Sequence, residues 1–173
     1  MSRRLAHIYK TACFASGAGF RGRASSRAFT LLELLAAVAV VGLLAGIAVP
    51  TYSRILQSQK TTTAVRDLGL ISLALEKYRT AHAELPMSLA DVGLSDLRDP
   101  WGNPYQYLNF DADIPGINGL IRKDHNLHPI NSDFDLYSKG PDGDSRAPLT
   151  ARASRDDIVF ARDGSFIGPA EDF

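Results

Sequence analysis

The feature that most constrains this chain is an apolar run near its N-terminus that contains one carboxylate. Residues 29–49 include a single charged side chain, Glu33, and residues 34–49 carry no charge at all. As a helix rising about 1.5 Å per residue, residues 29–49 would span roughly 30 Å, which is the thickness of a bilayer core. The sequence therefore predicts a single membrane-spanning helix.

The formal net charge of +0 hides an asymmetry between the N-terminus and the rest of the chain. Residues 1–28 hold six basic residues and no acidic one, which leaves 13 basic against 19 acidic residues in the remainder. A basic flank stays in the cytoplasm, so the body is expected on the other side of the membrane. The acidic body has no Lys/Arg cluster of the kind that binds nucleic acid and favours cations as small partners. Because the single cysteine, Cys13, lies in the basic leader, the body is expected to hold neither a disulfide nor a thiolate metal site.

Glu33 has two explanations. A carboxylate inside hydrocarbon costs roughly 2.5 kcal/mol or more, but this cost falls if Glu33 lies at the headgroup level near the helix end. Alternatively, a cut after Ala28 would create an amino group on Phe29, which a desolvated Glu33 would attract strongly. An amine from a neighbouring chain would then fix the register between subunits. A conventional secretory signal would have its small-residue cleavage site after the apolar run, whereas Ala28 precedes it.

The stretch "RAFTLLELL" resembles the class III signal of type IV pilin-like proteins, which a prepilin peptidase cleaves and N-methylates. In that family the new N-terminal residue is usually Phe and the fifth is Glu, as Phe29 and Glu33 would be. Ala28 departs from the usual Gly before the cut. Pro50 is residue 22 counted from Phe29, where the family commonly carries a helix-bending proline. The resemblance implies a processing site at Ala28 and Phe29, and assembly roles for Glu33 and Pro50.

Beyond Pro50 the helix is expected to continue, with a kink or local loosening at the proline. Apolar residues then recur at three- and four-residue steps, which predicts an amphipathic helix that packs on a sheet. The stripe consists of Ala64, Leu68, Ile71, Leu75 and Tyr78. Pro86 is expected to end this helix.

The remainder of the chain predicts short strands between polar loops. Alternating apolar residues indicate strands near 105–108, 134–138 and 157–161. The segment 162–168 is expected to form a turn and a short piece of chain that covers the sheet. The predicted fold is α+β, with one long N-terminal helix packed on a small antiparallel C-terminal sheet.

The expected domain organisation has four parts. It comprises a cleaved basic leader (1–28), a hydrophobic transmembrane or filament-core helix (29–50), its amphipathic continuation (51–85) and a periplasmic sheet domain with a calcium loop (86–173).

Three further motifs are similar to those of the major pseudopilins of type II secretion systems. They are "DPWGNPYQYL", "DFDLYSKGPDGDS" and a later "DDIV". The resemblance implies a non-enzymatic subunit that polymerises into a short periplasmic filament, which helps to push folded proteins through an outer-membrane channel. It implies an inner-membrane, single-pass protein of a Gram-negative bacterium, with its C-terminal domain in the periplasm. The implied partners are other copies of the chain, the prepilin peptidase, minor pseudopilins and the inner-membrane assembly platform.

The family also binds one calcium ion in its C-terminal loop. Ca²⁺ takes six to eight oxygen ligands from carboxylates, backbone carbonyls and water. The resemblance implies carboxylate ligands at Asp142, Asp156 and Asp157, with backbone oxygens from Lys139 and Asp144. The stretch "SRAPLTARASR" makes this loop longer and more basic than is usual in the family. The alternative is that the aspartates only cap turns, as Asp often does.

Two other functions stay open. A type IV pilin or minor pilin, used in adhesion, motility or DNA uptake, would share the N-terminal signal; such pilins often close a C-terminal loop with a disulfide, for which this body has no cysteines. A signal-anchored periplasmic monomer would instead retain its basic leader uncut.

Overall fold

The computed structural model describes residues 29–173, so Ala28 and the rest of the predicted leader lie outside the described residues. Within the described residues, the boundary between two structural units falls between Leu43 and Leu44. Helix α1 is assigned to Leu31–His82. It contains a stretch that, by length and composition, could cross a membrane.

Pro50 lies inside α1 and does not interrupt it. A proline at this position cannot donate to the carbonyl of Gly46, four residues earlier. One residue further on, the Thr51 hydroxyl donates to the Ile47 carbonyl at 2.8 Å. The expected loosening is therefore not large enough to break the helix.

The amphipathic part of α1 follows the predicted stripe. Four of its five members are fully buried: Ala64, Leu68, Ile71 and Leu75. Tyr78 is half-buried and stacks on the ring of His82, with 4.0 Å between ring centroids. The helix ends at His82, three residues before the predicted boundary, because Ala83 adopts a left-handed φ of 61°.

The sheet has four antiparallel strands in the order β1-β2-β3-β4. The strands are β1 (Gln106–Asn109), β2 (Phe134–Ser138), β3 (Ile158–Ala161) and β4 (Phe166–Pro169). The first three lie where the sequence predicts them. The fourth corrects the expectation for 162–168, because this segment extends the sheet instead of covering it. Left-handed backbone at Arg162, Asp163 and Gly164 turns the chain so tightly that β4 pairs with β3.

One face of the sheet packs on α1. The helix stripe shares a core with side chains from all four strands, and the Phe134 and Phe160 rings stack with centroids 5.4 Å apart. Each such side chain contributes about 1.5–3 kcal/mol by leaving water. The Tyr105 hydroxyl also donates to the Asp67 carboxylate on the helix at 3.1 Å. The predicted α+β fold, with one long helix on a small antiparallel sheet, is confirmed.

A second core lies on the other face of the sheet. Its buried members are Ile130, Leu149, Val159, Ala161 and Ala170. Strand β3 is therefore buried on both faces, and the loops on the second face carry the predicted calcium residues.

Candidate functional site

The N-terminal end of α1 is closed by a reciprocal capping box. The Glu33 carboxylate accepts hydrogen bonds from the backbone N–H and the hydroxyl of Thr30, both at 3.2 Å. The Thr30 hydroxyl in turn accepts from the Glu33 N–H at 3.2 Å. The sequence analysis missed this role for Glu33, although Thr-x-x-Glu before an apolar run is its ordinary signal. Glu33 is thus a helix-capping residue as well as a candidate for assembly.

The first part of α1, residues 31–49, consists almost entirely of exposed apolar side chains. Every residue from 29 to 59 is exposed, including large apolar side chains such as Phe29 and Leu31, at 82% and 78% exposure. A contiguous apolar surface of this kind indicates a membrane or protein partner. The chemistry suits lipid or the packed helices of other subunits.

Three of the predicted calcium residues lie together and cap the turn after β2. The Asp142 carboxylate accepts from the Asp144 N–H at 2.9 Å, and Asp144 accepts from the Ser145 N–H at 2.9 Å. Asp156 reaches across the loop, where its Oδ2 accepts from the Asp142 N–H at 3.3 Å. The turn-capping alternative therefore describes what these carboxylates do in the chain alone.

The carboxylate of Asp157 does not join this turn but pairs with Arg122. It is fully buried, and its Oδ2 accepts hydrogen bonds from the guanidinium of Arg122 and, at 2.6 Å, from the Ser145 hydroxyl. Burial raises the pKa of Asp157 to about 6, and the nearby charge of Arg122 opposes that rise. Its Oδ1 is buried and has no hydrogen-bond partner.

Arg122, in the connection between β1 and β2, is a partner of this loop that sequence reasoning missed. Its side chain is only 2% exposed, and its guanidinium carbon lies 4.0 Å from the centre of the Tyr137 ring. Besides Asp157, it donates to the Ser145 hydroxyl at 2.6 Å and to the Arg146 carbonyl at 2.5 Å. An arginine in a polar stretch offers no local pattern that would distinguish it from a solvated one.

The "DPWGNP" motif forms hydrogen bonds to the start of the loop that follows β2. The buried Asp99 carboxylate accepts from the Asn103 N–H at 2.8 Å and from the Ser138 hydroxyl at 2.5 Å. The Asn103 side chain then donates to the Gly140 carbonyl at 3.0 Å. The motif is therefore a turn that holds the end of β2 and the residues that follow it.

The loop brings together only part of the predicted calcium ligand set. Gly140 allows close packing, because a Cβ there would lie 2.2 Å from the Asp156 carbonyl oxygen. Carboxylates and carbonyls on such a turn are the hard oxygens that Ca²⁺ prefers. However, no group of three His, Cys, Asp or Glu side chains within residues 29–173 is placed to hold a metal ion. Asp142 and Asp156 are neighbours, whereas the Asp157 carboxylate is bound to Arg122.

Comparison with known proteins agrees with the N-terminal motif. Residues 23–49 match the prokaryotic N-terminal methylation motif. The type IV major fimbrial protein FimA of Dichelobacter nodosus is 28% identical over 95 residues, covering 55% of this chain and 59% of that protein. No solved structure matches the chain.

Proteins of type II secretion match over more of their length. The type II secretion system core protein G of Escherichia coli is 26% identical over 147 residues, covering 72% of this chain and 88% of that protein. The core protein G of Pseudomonas aeruginosa is 31% identical over 144 residues, covering 70% of this chain and 87% of the relative. The chain therefore belongs to the family of type II secretion system core protein G, the major pseudopilins.

Proposed function

We propose that this chain is a structural, non-enzymatic subunit of a periplasmic pseudopilus that drives protein export by type II secretion. The observation that carries this proposal is the exposed apolar helix segment of residues 31–49. Prepilin peptidase would cut between Ala28 and Phe29 and methylate the new amino group. Before assembly, the mature chain would be anchored in the inner membrane with its sheet domain in the periplasm. The assembly platform would then gather the apolar helices into a filament core, where helix packing replaces lipid, and minor pseudopilins would join it.

Glu33 is proposed to set the register by pairing with the Phe29 amino group of an adjacent subunit. In a desolvated filament core, an ammonium and a carboxylate attract strongly. The capping box gives a competing explanation, because loss of Glu33 would also remove the hydrogen bonds to Thr30.

Three substitutions separate the two explanations. Glu33→Gln removes the charge but keeps a side chain that suits the capping position. Thr30→Val removes the capping hydroxyl but keeps the charge, and Glu33→Ala removes the charge together with the carboxylate part of the capping box. Each variant is expressed in the native host, with membrane-inserted protein, cross-linked filaments and secreted cargo measured in parallel.

We expect all three variants to enter the membrane. Glu33→Gln and Glu33→Ala should abolish filaments and secretion, whereas Thr30→Val should retain both. Normal filaments from Glu33→Gln would refute the pairing of charges. Loss of assembly in Thr30→Val alone would make capping the requirement.

A type IV pilin is the alternative function, favoured by the similarity to the fimbrial protein of D. nodosus. Deletion of the gene distinguishes the two. A pseudopilin deletion retains the exported proteins in the periplasm, whereas a pilin deletion removes surface pili and leaves secretion intact.

We propose that Ca²⁺ binds the outer part of the C-terminal loop through the carboxylates of Asp142 and Asp156 and the backbone oxygens of Lys139 and Asp144. The proximity of Asp142 and Asp156 supports this set. The test is the thermal midpoint of the full chain in detergent after chelation, titrated with calcium and with magnesium as the control ion.

Binding to the folded state alone would add about 2.7 kcal/mol at a hundredfold excess over Kd. Asp142→Asn should abolish the rise, whereas Asp113→Asn, at an exposed aspartate on another loop, should retain it. A flat response of the unaltered chain would rule calcium out.

A further inference from the structure

We propose that Arg122 is the resident cation of this loop, so that its inner part, residues 145–157, is ordered by a guanidinium of the chain itself and needs no divalent ion. This inference builds on the proposed calcium loop, and it reassigns Asp157 from the metal to Arg122.

The contacts of Arg122 resemble those of a bound cation. Its guanidinium donates hydrogen bonds to a carboxylate oxygen of Asp157, to the hydroxyl oxygen of Ser145 and to the carbonyl oxygen of Arg146. These are the three kinds of protein oxygen that a Ca²⁺ loop supplies. They come from both ends of residues 145–157, so one side chain ties the loop ends together.

The burial of Asp157 makes a permanent cation necessary. Its side chain is 0% exposed, and an ionised carboxylate without a partner is very costly in such a place. Arginine stays protonated in proteins, and its planar fork can donate to several oxygens at fixed angles. Arg122 therefore partners Oδ2 of Asp157 at all calcium concentrations, whereas Oδ1 makes no hydrogen bond within the described residues.

Arg122 is itself held on the sheet. Its backbone N–H donates to the buried Asp135 carboxylate on β2 at 2.6 Å, and its guanidinium covers the ring of Tyr137 on the same strand. The ion pair consequently joins the loop to a strand of the core.

Hydrogen exchange of the full chain in detergent micelles tests the proposal. Amide exchange of residues 145–155, which leave out the proposed calcium ligand Asp156, is followed by mass spectrometry in EGTA and in excess calcium. In the unaltered chain we expect these amides to be protected in EGTA and to gain no more than about twofold from calcium, since Arg122 already holds them.

Arg122→Gln should accelerate their exchange in EGTA roughly tenfold or more. Arg152→Gln is the matched control, because Arg152 lies in the same loop and is exposed; it should exchange like the unaltered chain. Arg122→Lys, which keeps the charge but loses the fork, should fall between the two.

Two outcomes would overturn the proposal. One is an unaltered chain whose 145–155 amides are unprotected in EGTA and become protected with calcium, a result that needs no variant to fold. The other is an Arg122→Gln chain that exchanges like the unaltered one. Because exchange is measured on unassembled protein, failure of the filament proposal would leave this result interpretable.

Discussion

Gly140→Ala should destabilise the protein more than an ordinary glycine-to-alanine change in a turn. Gly140 has a φ of +64°, where a side chain is unfavourable by about 1–2 kcal/mol. An added Cβ would also lie 2.2 Å from the Asp156 carbonyl oxygen and 3.2 Å from that residue's carboxylate. The carbonyl belongs to the backbone and cannot rotate away, so the loop must shift. Such overpacking costs about 1–3 kcal/mol more.

Gly116→Ala provides the matched control. Gly116 has a similar φ of +76°, and nothing lies within 4 Å of the position of its added Cβ. It should therefore show the conformational cost alone. The difference between the two variants isolates the contact between Gly140 and Asp156.

The assay is thermal unfolding of the two full-length variants in the same detergent. A difference of about 1–3 kcal/mol corresponds to a midpoint roughly 2–12 °C lower for Gly140→Ala than for Gly116→Ala in a chain of this size. Equal midpoints would refute the close approach of the two sides of the loop, and with it the proximity on which the calcium proposal depends.

Two further predictions concern the sheet and its core. Burial raises the pKa of Asp135 from 3.8 to about 6, so its preference for the protonated form stabilises the fold below about pH 4 and is lost as the pH rises through 6. Asp135→Asn should flatten the pH dependence of the free energy of unfolding, to which Asp135 contributes at most about 3 kcal/mol. The measurement is urea unfolding between roughly pH 4 and pH 7. An unchanged slope of the free energy against pH would contradict this role of Asp135. Leu75→Ala should cost about 2–5 kcal/mol because Leu75 is fully buried, whereas Leu73→Ala, at a residue 66% exposed on the same helix, should stay within about 0.5 kcal/mol. Similar losses in both variants would contradict the packing of the helix on the sheet.

The helix and three strands could be predicted because their signals are local. The stripe from Ala64 to Leu75 has helical spacing, and its members are buried on one face as that spacing requires. Strand β4 could not be predicted in this way. It is short, it contains Gly168 and Pro169, and its pairing with β3 depends on left-handed backbone at Asp163, a residue other than glycine.

The same distinction between local signals and long-range contacts applies to the candidate site. Resemblance to a family proposes Asp142 and Asp156 as ligands, which stays a prediction, and the Thr30–Glu33 box can be read from spacing alone. The pair between Arg122 and Asp157 was not, since 35 positions separate the two residues in the sequence. Only the folded chain shows that this basic residue is buried and that Asp157 is its partner.

The position of that pair explains why a secretion subunit would keep a buried charge. Ile158 and Phe160 on β3 pack in the helix-side core, while Val159 and Ala161 pack in the second core. That second core also includes Leu149, which lies within the loop that Arg122 ties together. Removing one partner of a buried ion pair leaves the other charge buried and unpaired. This costs about 3–5 kcal/mol, which is a large share of the stability of a small domain. The loop is therefore part of the fold, and an internal cation would keep it folded at the low calcium concentrations at which a purely metal-held loop would open.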